Sequence, residues 1–239
     1  MMRMALALVG LLAALLSRPA GAQRLEGEPQ VLTPPIGYLG LSLEIGQAKG
    51  TFADYVDQGV GGGGYFLLRP NREGPFGVRV SVMYLVYGKQ THSYPLVPGI
   101  TVDVTTRNQI AQIAVGPQVT VGHGIVQAYG FGAVGGSFFS TTSNVEGSDQ
   151  TNQSFASTTN YEDGTFSTEL GGGLLVRLSR SMPAFVDIGA RYLDNGRVTY
   201  VTKERVSISG NQLVVNPVDS EANLVVYHIG IMAGIRRRR

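Results

Sequence analysis

The sequence contains no cysteine. Disulfide-stabilised folds are therefore excluded, and an exported chain of this kind must be stabilised by packing or by a surrounding bilayer. After residue 22, no stretch approaches 18 consecutive apolar residues, so the sequence predicts no membrane-spanning helix there. If the mature chain enters a membrane, it must do so as a closed barrel, because only helices and barrels satisfy their backbone hydrogen bonds in lipid.

Charged residues are also scarce, at 15% of the chain, against about a quarter in typical soluble domains. A soluble β-protein would need more lysine and glutamate to cover its exterior. The formal net charge is +2, but without Arg3, Arg18 and Arg236 to Arg239 the chain has 13 basic and 17 acidic residues. This mildly acidic body argues against a nucleic-acid partner.

The first 22 residues have the pattern of a cleaved signal peptide. Arg3 supplies a positive start, residues 5–16 are apolar apart from one glycine, and Ala20-Gly21-Ala22 is a small-residue cleavage site. The apolar run is too short for the roughly 20 residues that a spanning helix needs. We therefore expect a signal peptide at 1–22, a lead-in at 23–36, a barrel at 37–235 and a basic tail at 236–239.

Apolar and polar residues alternate with a period of two along most of the mature chain, which is typical of half-buried strands. Eight strands are predicted, and ten remain the alternative. The eight cover residues 37–47, 58–68, 76–87, 108–121, 124–139, 166–178, 184–192 and 223–235. Residues 205–215 alternate around Ser209-Gly210-Asn211 and predict a further hairpin. No segment of the mature chain is a convincing helix.

The predicted connections alternate in length, as in outer-membrane barrels. Short connections fall at residues 69–75, 122–124 and 179–183, and long ones at 48–57, 89–107, 140–164 and 195–222. Residues 140–164 are rich in serine, threonine, asparagine and glutamine, which indicates a mobile surface loop.

The less apolar face of the strands carries charges that, in a membrane barrel, must lie inside. These residues are Glu44, Arg79, Glu169, Arg177, Asp187, Arg191 and His228. Inside a narrow barrel such charges must pair, because an isolated buried charge costs several kcal/mol. We interpret them as an interior charge network that blocks the barrel, and a conduit is the alternative. The candidates for an aromatic girdle at the membrane surface are Phe76, Tyr84, Tyr129, Tyr192 and Tyr227.

The chain resembles the small outer-membrane β-barrels of the OmpA, OmpX and opacity-protein type. The resemblance lies in the signal peptide, the eight strands and the segments at residues 186–193 and 227–231, and it covers residues 37 to 235. It implies an all-β, eight-stranded, antiparallel up-and-down transmembrane barrel in the outer membrane of a Gram-negative cell. Such proteins usually end on an aromatic residue, whereas this chain ends in four arginines.

No catalytic, cofactor-binding or metal-binding motif is present. His92, His123 and His228 show no metal-ligand spacing, and no partner for a catalytic histidine can be assigned. The first hypothesis is therefore a non-enzymatic barrel with a structural or surface-interaction role through long extracellular loops. The alternatives are a narrow pore for small or apolar solutes, a lipid-modifying enzyme with His228 as base, and a soluble lipocalin-like binder. The expected partners are outer-membrane lipid and an extracellular ligand, and the chain is expected to be a monomer.

Overall fold

The computed structural model describes residues 34–97, 100–122, 124–147, 154–179, 182–200, 206–209, 212–215 and 218–235. The predicted signal peptide, most of the lead-in, the basic tail and His123 lie outside these residues. Within the described ranges, no helix has both the length and the apolar character needed to cross a membrane.

Twelve strands and one short 3-10 helix are present in the described part of the chain. The strands are β1 (Gly37–Lys49), β2 (Gln58–Leu68), β3 (Phe76–Val97), β4 (Ile100–Val121), β5 (Val126–Gly147), β6 (Ser154–Arg177), β7 (Ala184–Asn195), β8 (Arg197–Tyr200), β9 (Val206–Ser209), β10 (Gln212–Val215), β11 (Val218–Glu221) and β12 (Asn223–Ile235). The 3-10 helix covers Gly50–Asp54.

Eight of the strands close into an antiparallel barrel. Strands β1 to β7 pair in sequence order, and β12 pairs with both β7 and β1 to complete the wall. The predicted eight-stranded up-and-down barrel is confirmed, and the ten-stranded alternative is wrong. The additional strands form two separate two-stranded sheets, β9 with β10 and β8 with β11. The first of these is the hairpin predicted around residues 209–211.

The outward face of the barrel is a continuous apolar belt. In β1 it consists of Leu39, Leu41, Leu43 and Ile45, each at least half exposed. In β3 it runs from Phe76 to Tyr84, about the 9–11 residues that a tilted strand needs to cross a bilayer. A soluble protein would not expose so large an apolar surface. The exposed apolar belt agrees with the assignment of apolar residues to the lipid-facing side.

Four adjacent strands extend far beyond this belt. Strands β3, β4 and β5 have 22 residues each and β6 has 24. From Val86 to Val97, β3 continues for roughly 40 Å at about 3.3 Å per residue. The interpretation of residues 140–164 as an irregular loop is wrong, because 140–147 belong to β5 and 154–164 to β6. Threonine, frequent there, suits a strand as well as a loop.

The two ends of the barrel differ. At the turn end lie the connections at residues 69–75, 122–125 and 178–183 and the outer ends of β1 and β12. At the opposite end, here called the loop end, the chain leaves β1 through the 3-10 helix, which the sequence did not predict. Strands β8 and β11 lie at the same end, and both the helix and β8 contribute side chains to the barrel mouth.

The lipid-facing assignment predicts a position-dependent cost for arginine. Ile188→Arg in β7 should prevent stable insertion, because a midplane arginine on the lipid side costs roughly 2–4 kcal/mol. Asp194→Arg, on the same outward face but beyond the belt, is the matched control and should insert normally. Membrane fractionation and the difference in gel mobility before and after boiling measure both. Equal insertion of the two variants would contradict the assignment.

Candidate functional site

The barrel interior is filled by buried side chains at three levels. An aromatic level lies toward the turn end, a charged level lies in the middle, and an apolar level lies at the loop end. Of the seven predicted interior residues, six are at most 5% exposed, and Arg177 is half-buried. Five of the seven come together in two groups, described next, while Arg79 and Arg177 stand apart from the carboxylates.

The first group is an ion-paired triad of Glu44, Arg191 and Glu169. The Arg191 guanidinium donates to both Glu44 oxygens, at 3.2 Å from Nη1 and 2.8 Å from Nη2. Its Nε lies 3.2 Å from Glu169 Oε2, within ion-pair distance but not aligned as a hydrogen bond. Ser81 donates to Glu169 at 2.7 Å, and Gln112 donates to it at 3.3 Å. One cation on β7 thus holds two buried carboxylates, which β1 and β6 supply.

The second group centres on Asp187. Tyr65 and Tyr129 donate their hydroxyl protons to its two oxygens, at 2.8 and 2.7 Å. His228 Nε2 lies 3.0 Å from the Tyr129 hydroxyl and 3.4 Å from Asp187. Because Tyr129 has one proton and gives it to Asp187, His228 Nε2 must carry a proton and act as the donor. The other ring nitrogen, Nδ1, is buried without a described partner.

Arg79 is stabilised by aromatic rings instead of a carboxylate. Its guanidinium carbon lies 3.6 Å from the centre of the Tyr65 ring and 4.3 Å from that of Phe131. Its Nη1 donates to Gln118 Oε1 at 3.2 Å. Among the described residues it makes no ion pair. Contacts of this kind contribute about 2 kcal/mol or more where water is excluded, so the positive charge is tolerated inside the barrel.

Arg177 lies at the turn end, where β6 leaves the barrel. Its guanidinium is 5.3 Å from the centre of the Phe185 ring, and no ion pair of Arg177 is present within the described ranges. The predicted pairing of all three arginines with three carboxylates is thus found for Arg191, while Arg79 and Arg177 contact rings. Burial between aromatic rings cannot be deduced from strand parity, because it depends on which residues meet across the barrel.

An aromatic cluster closes the loop end. The 3-10 helix places Phe52 inside the mouth, where its ring centre lies 5.0 Å from that of Tyr200 and 5.6 Å from that of Tyr87. Phe139 contacts the same group. Burial raises the pKa of the Tyr200 phenol above its ordinary value, so the group stays neutral and shares a hydrogen bond with Ser220 at 2.8 Å. We call these four aromatic residues the mouth cluster.

Several residues of the interior could not be placed from the sequence. Tyr129 was expected in the girdle, but it is 6% exposed and lies inside, so that assignment is wrong; the other four girdle candidates are exposed. The signal was the segment at residues 129–132, in which aromatic residues alternate with glycine and must share one face. Tyr65 and the polar side chains around Glu169 also went unnoticed, and Phe52 could not be placed without the helix that carries it.

Inward-facing glycines provide the space that these side chains occupy. A methyl group at Gly63 would overlap the Glu44 carboxylate, and one at Gly40 would overlap the Tyr65 ring. At Gly189 it would lie 2.7 Å from the His228 ring, and at Gly171 2.5 Å from Cβ of Arg191. The glycine run at residues 61–64 therefore serves packing.

The interior offers polar groups but little chemistry. Among the described residues, no three histidine, aspartate or glutamate side chains are gathered to hold a metal ion. Nε2 of the buried His228 is engaged with Tyr129 and Asp187. The charged groups of the triad are engaged in ion pairs with one another. What the arrangement does physically is to fix strand register and to fill the lumen.

A closed wall, an apolar belt of bilayer height and a charged interior leave one interpretation. The fold is that of a small outer-membrane β-barrel. The protein is located in the outer membrane, as the resemblance implied. No family model matches the chain, and no curated protein matches it.

Several solved structures of outer-membrane proteins are similar to it. Ail, the attachment invasion locus protein of Yersinia pestis, shares 12% identity over 84% of this chain and 98% of its own, with a TM-score of 0.43. Neisserial surface protein A shares 11% identity over 83% and 97%, with a TM-score of 0.46. OprG of Pseudomonas aeruginosa shares 12% over 85% and 98%, with a TM-score of 0.47.

The triad predicts unequal effects of neutralising its members. Arg191→Gln should lower the free energy of unfolding by about 3–5 kcal/mol, because two buried carboxylates then lose their cation. Glu169→Gln should cost less, since Arg191 keeps its two contacts with Glu44. Arg177→Gln removes the same charge at the half-buried end and should change little. Denaturant unfolding in lipid vesicles measures all three. An Arg191→Gln variant as stable as Arg177→Gln would refute a stabilising triad.

The glycine complement predicts a second contrast. Gly63→Ala should destabilise the barrel by about 1–3 kcal/mol, because overpacking displaces the Glu44 carboxylate. Gly132→Ala is the control: its added methyl group would lie 3.8 Å from the nearest atoms, at ordinary contact distance. The same unfolding measurement compares them, and equal stability of the two variants would show that Gly63 is not needed for space.

Proposed function

We propose that this protein is a closed, non-enzymatic, monomeric surface barrel that acts through the sheet that strands β3 to β6 form above the membrane. The observation that carries the proposal is the contrast between a filled lumen and a wall of four strands that continue beyond the belt for roughly 25 to 40 Å along their length. The part of these strands that lies outside the membrane presents an exposed surface to other molecules.

The filled lumen argues against the alternative of a pore. A solute entering from the loop end would meet the mouth cluster, then the triad, and then Arg79 between its rings. Eight strands leave an interior just wide enough for side chains. Passage would require the buried ion pairs to separate, which costs several kcal/mol.

The arrangement around His228 argues against a lipid-modifying enzyme. The side chain is 5% exposed and lies deep among the residues of the Asp187 group. A general base must come within hydrogen-bond distance of its substrate, and no acyl chain or head group can reach this ring without displacing Tyr129. The charged groups therefore serve as a plug.

The proposal predicts that the raised sheet can be removed without harming the barrel. In a trimmed variant, residues 90–106 and 143–158 are each replaced by Asn-Gly, which favours a tight hairpin turn. The cuts leave the mouth cluster intact. Both proteins should insert, shift with boiling on gels and show no steady conductance in planar bilayers. Cells displaying the wild type should bind at least one component of an array of immobilised extracellular proteins and glycans, and trimmed cells should lose that binding.

Each measurement can contradict one part of the proposal. A large, steady open conductance of the wild-type protein would show that the barrel is a pore and that its interior is not plugged. Array binding that is the same for wild-type and trimmed cells, or absent from both, would remove the role of the raised sheet.

A further inference from the structure

Two cations face each other across strands β3 and β4, just above the lipid belt. Lys89 is the cross-strand partner of Arg107, and both side chains are exposed on the outer wall. Like charges directly opposite each other destabilise a sheet. Among the described residues, neither cation forms an ion pair, and no carboxylate is a cross-strand partner of either. Among the described side chains, the nearest outward carboxylate on a neighbouring row is Glu162 of β6, which pairs with Ser140 of β5 and lies two strands from Arg107 and three from Lys89.

An exposed arginine elsewhere at the loop end has a different neighbour. Arg197 of β8 is the cross-strand partner of Glu221 in β11, so a carboxylate is placed opposite its positive charge. The pair on β3 and β4 differs in this respect, because no carboxylate among the described side chains is placed opposite either cation.

The height of the pair indicates where that anion is. Outward rows along a strand are spaced by two residues, about 6.7 Å. The row of Tyr84 still belongs to the exposed apolar belt, and Lys89 and Arg107 lie two rows above it. A bilayer adds roughly 5–7 Å of head group on each side of its hydrocarbon core. At a strand tilt of about 35–45°, the two rows correspond to roughly 10 Å of height. Lys89 and Arg107 therefore reach the level of lipid phosphates when their long side chains extend toward the bilayer.

The surface below the pair is suited to a lipid. Gln109 accepts a hydrogen bond from the Tyr84 hydroxyl and donates to Ser140 at 2.8 Å, which forms a polar row between the cations and the belt. Beneath it, Tyr84 and Phe138 expose their rings to the bilayer. A polar row above aromatic rings matches the boundary between a sugar or glycerol head group and its acyl chains.

We propose that Lys89 and Arg107 form a clamp for a phosphate group on an outer-leaflet lipid. The lysine supplies a compact charge, while the planar guanidinium can donate to two phosphate oxygens at once. A phosphate bound between the two cations attracts both of them and so offsets their mutual repulsion. The clamp is independent of the proposed surface function, since it lies on the lipid side of the wall and needs no extracellular ligand.

The test uses the full chain in phosphatidylcholine nanodiscs, titrated with diphosphoryl lipid A and with its dephosphorylated form, and bound lipid is counted by native mass spectrometry. The double variant Lys89→Gln/Arg107→Gln should bind diphosphoryl lipid A roughly 30-fold more weakly, about fivefold for each cation. The control Arg197→Gln should bind as the wild type does. The dephosphorylated lipid should not distinguish any of the proteins.

A second measurement separates the clamp from a merely structural role. Without anionic lipid, Arg107→Gln should melt at a higher temperature than the wild type, because the repulsion is relieved; with diphosphoryl lipid A, it should melt lower. Soluble inositol hexakisphosphate should not displace the lipid. Equal lipid binding by the double variant and the wild type, or a melting shift of the same sign in both conditions, would overturn the clamp. Tighter binding of the soluble phosphate than of lipid A would overturn its assignment to the membrane.

Discussion

The interior of an eight-stranded barrel is just wide enough for side chains to fill it, and most features of this protein depend on that limit. A large side chain entering from one strand needs a small one opposite. Gly40 and Gly63 lie where Tyr65 and Glu44 enter, and Gly189 lies where His228 enters. Glycine weakens a strand locally. Here that cost is offset by the contacts of the large side chains that occupy the space left by the missing Cβ atoms. The abundance of glycine in the sequence thus has a geometric cause.

The same narrowness decides how charge is handled. Water is largely absent from such an interior, so each charged group must find a protein partner. Three such arrangements lie close together in the barrel. Arg191 binds two carboxylates, whereas Arg79 lies between the Tyr65 and Phe131 rings, whose electron-rich faces replace an anion. Asp187 is balanced by two hydroxyl donors and an imidazole N–H. Every one of these solutions joins residues far apart in sequence, and each therefore fixes strand register.

The barrel itself follows from local sequence, because alternation of period two and a shortage of charge determine which face meets lipid. All eight strands and the inward side of Glu44, Glu169, Asp187 and Arg191 could be predicted in this way. The partners could not, since they depend on the shear of the barrel. The extent of β5 and β6 was missed for another reason: serine and threonine satisfy both loop and strand preferences, and cross-strand pairing decides between them. Phe52 depended on a single turn of helix with no sequence signal.

The two sides of the loop end differ: one side closes the lumen, and the other extends beyond the membrane. On the side of β1, β7 and β12, the strands stop near the belt, and the chain folds inward, placing Phe52 and Tyr200 in the mouth. On the side of β3 to β6, the strands continue beyond the belt and remain paired with one another there. Residues that close the lumen are therefore not available as a surface, and residues of the raised sheet are not needed for closure. Among the described residues, the two sets contact each other at the base of the raised sheet, around Phe139 and Tyr87 and where the Thr199 N–H donates to Asp163. The raised sheet beyond these contacts can therefore vary in sequence without opening the barrel.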